Sequence, residues 1–396
     1  MKRRQLLAAL AALPCAGLRA QAVSAPAAHG KFLLVFLRGG LDTQSLLVPI
    51  SSEFYYRVRP NIAVARPGSG DAAAIALDSD WGLHPALGAG VLPLWQQRQA
   101  AFVAFTGPTD LSRSHFETQD SIELGQEDAS NVRDFGSGFL NRLVTELGAY
   151  EPIAFTEQVP LALRGHRRVV NVVLAGASKP ALDDRQRKLV EAMYAGTPLE
   201  ASVHDGLQVR AEIAQELAQK EHDDAGRGAA PPSGLEQSAR RMALLLRDRY
   251  DIGFIDLGGW DTHVNQGNGK GQLATRLGQL DAGISSFARA MGDRWRDTTV
   301  VVLSEFGRTS RENGNRGTDH GHGTAFLVLG GSLRGGRVAG EQVAVDQKNL
   351  FQDRDLPVLQ DGRAVLGGIF SRMYGLSRAS LDRIFPRAKP VDLGLV

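Results

Sequence analysis

The chain carries 396 residues, 45 of them Lys or Arg and 43 Asp or Glu, for a formal net charge of +2 at pH 7. A balance so close to neutral, with no basic stripe, excludes the electrostatic footprint of a nucleic-acid-binding protein. The only cysteine is Cys15; beyond the first 22 residues there can be neither disulfides nor thiolate metal sites, and any metal must be held by His and carboxylates.

The N-terminus runs from Lys2, Arg3 and Arg4 through an apolar stretch to about Leu18 and then reaches Ala20-Gln21-Ala22. This reads as a twin-arginine signal peptide cleaved after Ala22, which predicts a periplasmic or secreted protein. Pro14 stands before Cys15 where a lipoprotein signal wants a small residue. The apolar run is too short to span ~30 Å of hydrocarbon, and no later segment approaches the ~20 apolar residues a span needs, so no membrane span is expected. The remainder, 23–396, suffices for one large α/β domain with insertions or for two domains.

Lys31 to Leu37 is a continuous apolar run bounded by Arg38-Gly39-Gly40, the pattern of a strand buried on both faces of a parallel sheet. Further strands are expected at Ala100–Phe105, Val169–Leu174, Ile252–Leu257, Thr298–Leu303 and Ala325–Leu329. Helices are expected at Leu87–Gln97, His115–Leu124, Phe139–Leu147, Asp183–Tyr194, Leu207–Lys220, Leu235–Arg249 and Leu273–Met291. The alternation predicts a doubly wound, mostly parallel sheet flanked by helices. Residues 180–235 lack a strand and read as a helical insertion or cap. The stretch from His222 to Ser233 reads as a surface loop, and the last 20 residues as a tail on the surface.

Candidate site residues sit just past these strands. Asp42 follows the first; its alternative role is to cap a helix starting near Gln44. Ser114 precedes a helix, where the N-terminal field favours an anion or alkoxide and suits a nucleophile; the ordinary reading is a helix cap, with Glu117 closing a capping box. Asp261 and His263 project on the same side of an extended chain and could reach one ion, of Zn, Mn or Fe type; the alternative is a turn cap and a solvated histidine. Glu305 follows the strand ending at Leu303, where an open α/β sheet binds ligands; otherwise it pairs with Arg308 or Arg311. In Gly317-Thr318-Asp319-His320-Gly321-His322-Gly323 the glycines let main chain approach a ligand. His320 and His322 share a side of an extended chain, which leaves Asp319 to bind a second ion or to orient an imidazole. Walker, dinucleotide-binding, nucleophile-elbow and zincin signatures are absent.

Leu37 to Asp42, Leu83 to Leu87, Ser112 to Phe116, Gly259 to His263, Ser304 to Thr309, Glu312 to Gly314 and Gly317 to Gly323, in this order, resemble a bacterial family of twin-arginine-exported proteins of unknown function, placed in the alkaline phosphatase and sulfatase-like superfamily. The resemblance implies an alkaline-phosphatase-like fold that binds divalent metal, often zinc, as one or two ions. It would make Asp42 the early ligand, Asp261 and His263 the middle pair, Glu305 the first member of a later pair, His320 or His322 the last ligand and Ser114 the nucleophile. Phe306 stands where the superfamily has a histidine, and the Asp261 to His263 spacing is shorter than usual there. A one-metal site, a two-metal site completed by Asp319, and a lost activity all stay open. The function implied is an exported metal-dependent hydrolase of phosphate, sulfate or related small-molecule esters. The alternative is a non-catalytic metal-binding protein, structural or bound to an exported partner.

Overall fold

The structure is a computed structural model that describes residues 30–126, 133–174, 182–226 and 234–396. The signal peptide expected at 1–22 lies outside them. In chain order the elements are β1 (Lys31–Leu37), α1 (Thr43–Leu46), β2 (Leu47–Pro49), α2 (Glu53–Val58), β3 (Ile75–Ala76), β4 (Trp81–Leu83), α3 (Val91–Gln96), β5 (Ala100–Gly107), α4 (His115–Leu124), α5 (Phe139–Leu147), β6 (Pro152–Ala154) and β7 (Val170–Asn171). They continue with α6 (Asp184–Tyr194), α7 (Glu200–Gly226), α8 (Gly234–Asp248), β8 (Ile252–Leu257), α9 (Gln272–Met291), β9 (Thr298–Ser304), β10 (Thr324–Gly330), β11 (Arg337–Ala339), β12 (Gln360–Asp361), α10 (Gly362–Tyr374) and α11 (Arg378–Ile384).

β1 shows why the sheet forms. All seven of its residues are buried. Leu33, Val35 and Leu37 face one core with α8 and α9, while Phe32, Leu34 and Phe36 face a second core with α5, α10 and α11. A strand with period two can fill both cores only from the middle of a sheet covered on both faces. Each such side chain contributes roughly 1.5–3 kcal/mol on leaving water. The main sheet follows the order β11-β5-β10-β9-β1-β8-β6-β7, with β12 beside β5. Every pairing in it is parallel except the two made by β10. The fold is the expected α/β sheet flanked by helices. β2, β4 and β3 form a small separate antiparallel sheet.

Register places the loops. Leu37 pairs with Leu257 on one side and with Ser304 on the other, so the chain leaves β1, β8 and β9 at one edge, side by side. β10 runs the other way, and Thr324 at its start pairs with Thr106 near the end of β5. The glycine-rich segment before β10 therefore arrives at the edge where the others depart, and the connection from β5 to α4 leaves from it.

Some expectations are corrected. The helix expected at Leu87–Gln97 is shorter, because Pro85–Leu87 form a 3-10 turn and Gly90 sits at the N-cap of α3. The strand expected at Val169–Leu174 pairs only over Val170–Asn171. α7 runs to Gly226, so the stretch from His222 is helical where a loop was expected, and 227–233 lie outside the described residues. Between β7 and β8 the described residues hold helices and no strand, and α7 docks through Ile213 and Leu217 in the same core as α8. The C-terminus is no surface tail. Leu381, Ile384 and Phe385 recur at helical spacing and are buried, with Phe385 stacked on Phe139 at 5.1 Å.

Candidate metal centre

At the carboxyl edge of the sheet, glycines bring the loops together. Gly39 has φ +126°, and a Cβ there would lie 2.5 Å from the backbone nitrogen of Asp261; Gly40 has φ +71°, and its Cβ would lie 2.5 Å from the Phe306 ring. Only glycine allows the β1 loop to lie against the β8 and β9 loops in this way.

His115, the first residue of α4, has its Nδ1 2.8 Å from Glu305 Oε1. His320 has its Nδ1 3.0 Å from the carbonyl oxygen of Arg113. His263 has its Nδ1 3.2 Å from Asp319 Oδ1. A carbonyl or an ionised carboxylate only accepts, so each imidazole donates from Nδ1 and, when neutral, keeps a lone pair on Nε2; these protons are assigned from the partners. The three Nε2 atoms turn toward Asp261. Its Oδ1 lies 2.9 Å from His263 Nε2 and 3.3 Å from His320 Nε2, and its Oδ2 lies 3.5 Å from His115 Nε2. His263 Nε2 and His320 Nε2 are 3.1 Å apart. One ligand atom each from His115, Asp261 and His320 falls within 4.8 Å of the others, so this group could hold a metal ion.

Two features fit that group to a cation. His115 Nε2 is buried without a hydrogen-bond partner, and lone pairs gathered beside a carboxylate oxygen repel unless a positive charge lies among them. Each imidazole is also oriented from behind by an acceptor, as metal-ligating histidines are. Phe306, buried, floors the group, with its ring 5.0 Å from both His115 and His320. The opening faces solvent, because the Asp261 side chain is 41% exposed.

Electrostatics follow from these contacts. The hydrogen bond to Glu305 raises the His115 pKa, with burial opposing it and the charges of Glu305 and Asp261 adding to the rise. Burial lowers that of His320, and His115 beside it lowers it further. Burial pushes the Asp261 carboxyl up, but Arg308, His263 and His320 outweigh it and hold the group below the usual carboxylate value. Arg308, fully buried, donates from Nη1 to Asp261 Oδ1 at 2.7 Å and grips Thr318 with the rest of its guanidinium.

Of the residues expected to form the site, Asp261, His263 and His320 meet. Asp319 adjoins them as the acceptor that holds His263, and it also takes Asn313 Nδ2 at 3.1 Å. Glu305 is buried and fully used. Its Oε1 accepts from Gly39 N, His115 and Gln119, and its Oε2 from Ser304; it orients His115 instead of offering itself as a ligand. It does not pair with Arg308 or Arg311. Burial raises its pKa, but the bonds from His115, Gln119 and Gly39 bring it below the ordinary value.

Asp42 is not in the group. Arg59 takes both its oxygens, at 2.7 and 3.0 Å, and Ser45 and Gln266 complete its shell. It occupies the N-cap position of α1, where its carbonyl accepts from Ser45 N and Leu46 N. His322 is turned away as well: it is buried against Phe351, ring centroids 5.1 Å apart, where burial brings its pKa down to about 4. His320 forms an isolated bridge with Arg308, but the backbone bends at His322, so the two histidines do not share a side. Ser114 is the N-cap residue of α4, yet its side chain makes no capping hydrogen bond and the expected box with Glu117 is not formed.

His115 and Arg308 were not singled out from sequence, although both lie within the motifs Ser112–Phe116 and Ser304–Thr309.

Residues 30–385 match the model of the family described as "Protein of unknown function (DUF1501)". No curated protein matches the chain in sequence. Among solved structures the chain is similar to Ps i-CgsB, determined in complex with k-i-k-neocarrahexaose, at 9% identity over 93% of this chain and 76% of that one, with a TM-score of 0.44. It is similar to a lipoteichoic acid synthase, LtaP, from Listeria monocytogenes, at 10% identity over 93% of this chain and 77% of that one, TM-score 0.38. It is also similar to a protein in the alkaline phosphatase superfamily from Vibrio parahaemolyticus, at 11% identity over 76% of this chain and 60% of that one, TM-score 0.35. No helix among the described residues is long and apolar enough to cross a membrane.

Proposed function

The chain belongs to the DUF1501 family of proteins of unknown function, and from that premise we propose that it is an exported, metal-dependent hydrolase of phosphate, sulfate or related esters. The observation that carries this reading is the convergence of His115, His263 and His320 through Nε2 onto the solvent-open carboxylate of Asp261. Imidazole nitrogen and carboxylate oxygen suit zinc. His115, Asp261 and His320 would hold the ion, with His263 beside them; when bound it supplies charge stabilisation to the transferred group and acidity to a hydroxyl or water.

The chain's own residues do the rest. Glu305, Arg113 through its carbonyl, and Asp319 fix three imidazoles as Nδ1–H tautomers, so that Nε2 is the free atom in each. Arg308 holds one oxygen of Asp261 and balances its charge. Ser114 is the nucleophile in this reading: it stands at the N-terminus of α4, one residue before His115, with no cap bond engaging its hydroxyl. Export rests on the twin-arginine pattern of residues 1–22.

The test is elemental analysis of the purified protein followed by a screen of aryl phosphates and aryl sulfates with wild type, Ser114→Ala and His320→Ala. Metal in wild type, turnover in wild type alone, and metal retained by Ser114→Ala are expected. Asp42, withdrawn from the site by Arg59, leaves fewer carboxylates than the resemblance implies, which favours a second reading. In it the chain is a non-catalytic metal-binding protein, and metal without turnover selects it.

A further inference from the structure

The loop that carries Asp261 is covered on one side by α9. Arg276, from the second turn of that helix, lays its guanidinium on Gly259, two residues before Asp261. A Cβ on Gly259 would lie 2.3 Å from Arg276 Nη1 and 2.5 Å from Cζ, and Gly259 itself has φ +92°. The glycine is thus what lets a charged plane rest on main chain here. Arg276 Nε is buried with no hydrogen-bond partner. Among the described residues this side chain takes part in no hydrogen bond and no salt bridge, while Asp261 close by is paired with Arg308. Trp260, next in the chain, likewise keeps a buried Nε1 without a partner. On the solvent side, a Cβ on Gly258 would meet nothing within 4 Å, so the space over the loop is open.

A guanidinium stays charged, carries five donors in a planar fork and matches a carboxylate, phosphate or sulfate bidentately. Leaving one partly buried and unpaired is unfavourable unless an anion completes it. We propose that Arg276 is an anion-recognition residue beside the metal centre, and that it holds a second anionic group of the substrate, separate from the group presented to the metal. The word substrate rests on the hydrolase reading; the anion site does not. Asp261 is already held by Arg308, and Arg276 rests on main chain two residues before it, so the anion Arg276 holds is placed next to the metal-bound group. The substrate class is therefore a polyanionic ester, such as a sugar or polyol that bears more than one phosphate, sulfate or carboxylate.

Inorganic phosphate titrated calorimetrically into EDTA-treated protein tests the site without metal. Wild type is expected to bind; Arg276→Gln should weaken binding about tenfold or more, as loss of charge-assisted hydrogen bonds does, and Arg276→Lys should restore part of it. His320→Ala, which removes a metal ligand, should leave this binding unchanged. Metal content in Arg276→Gln should equal that of wild type. Absence of phosphate binding in metal-free wild type, or equal binding in an Arg276→Gln protein whose melting matches wild type, overturns the site; loss of metal from Arg276→Gln makes Arg276 part of the centre and overturns its separateness. A doubly phosphorylated sugar should bind more tightly than inorganic phosphate, by a margin that Arg276→Gln removes. Equal affinity for the two would instead identify a site for free anion and overturn the substrate assignment. Failure of the ester screen with this binding intact sinks the hydrolase reading alone.

Discussion

His263 Nε2 and His320 Nε2 face each other at 3.1 Å while the Nδ1 of each is committed to an acceptor, Asp319 in one case and the Arg113 carbonyl in the other. Two neutral imidazoles in that arrangement present lone pair to lone pair. A proton or a metal ion between them turns the repulsion into attraction.

From this comes the first prediction. The purified protein should carry about one divalent metal per chain, by elemental analysis, because among the described residues one group of ligand atoms, from His115, Asp261 and His320, converges. Metal at about a hundred times its dissociation constant should stabilise the fold by about 2.7 kcal/mol, read as a rise in melting midpoint that EDTA reverses. His320→Ala should abolish the rise. A midpoint indifferent to both EDTA and added zinc would show that no ion belongs there.

Metal affinity should fall as pH drops through the imidazole range. The ligand form of each histidine is unprotonated at Nε2, and binding displaces whatever proton is there. His115, whose pKa is raised by the Glu305 hydrogen bond, gains a proton on acidification before His320, whose pKa burial lowers. Competition titrations with a chromophoric chelator from pH 8 to 5 would measure it, and a flat profile contradicts the ligand assignment.

Glu305→Gln should reduce metal affinity by about 10–100-fold, the usual effect of losing the carboxylate behind a metal-bound histidine, and more than any change it makes in secondary structure by circular dichroism. An unchanged dissociation constant would mean that His115 is oriented by its packing on Phe306 alone.

Asp42→Ala should cost about 3–5 kcal/mol, because it leaves Arg59 buried and unpaired, while the metal content of the folded fraction stays at the wild-type level. Burial pushes the Asp42 carboxyl up, but Arg59, Ser45 and Gln266 outweigh it and bring its folded pKa below the ordinary 3.8. Its contribution to stability is therefore complete above the ordinary value and is lost as pH falls through the lower, folded one. Denaturant titrations between pH 5 and 2 should show the wild-type advantage over Asp42→Ala shrinking in that direction. Metal loss from folded Asp42→Ala would return Asp42 to the site.

Phe306→Ala should destabilise by about 3–5 kcal/mol through the cavity left behind, and it should weaken metal binding by freeing the His115 and His320 rings. Unchanged affinity in a destabilised protein would limit Phe306 to packing.

The strands and most helices were legible because each core strand is a short unbroken apolar run ended by glycine or polar residues, and periodicity reports burial directly. β1 and β8 start and stop where the sequence predicts. The gathering of Asp261, His263 and His320 was legible too, since each follows or precedes such a strand. What sequence could not convey was competition for the acidic groups. Asp42 and Glu305 have the same address past a strand as Asp261, yet Arg59 claims one, and His115, Gln119 and the Gly39 amide claim the other; those partners lie 17 to 266 residues away. His322 failed for a different reason. Period-two reasoning assumes an extended chain, and the backbone bends at His322.

The reversed direction of β10 has a consequence for biogenesis. Because that strand runs against its neighbours, His320 is delivered by a segment entering the sheet, and it meets His115, which follows β5, at the edge where β10 lies between β5 and β9. A nascent fragment that stops before His320 lacks part of the ligand set, so ion capture would mark the arrival of the segment before β10, ahead of β11 and β12 joining the sheet. Quality control during synthesis could be followed by the moment at which zinc becomes resistant to chelation.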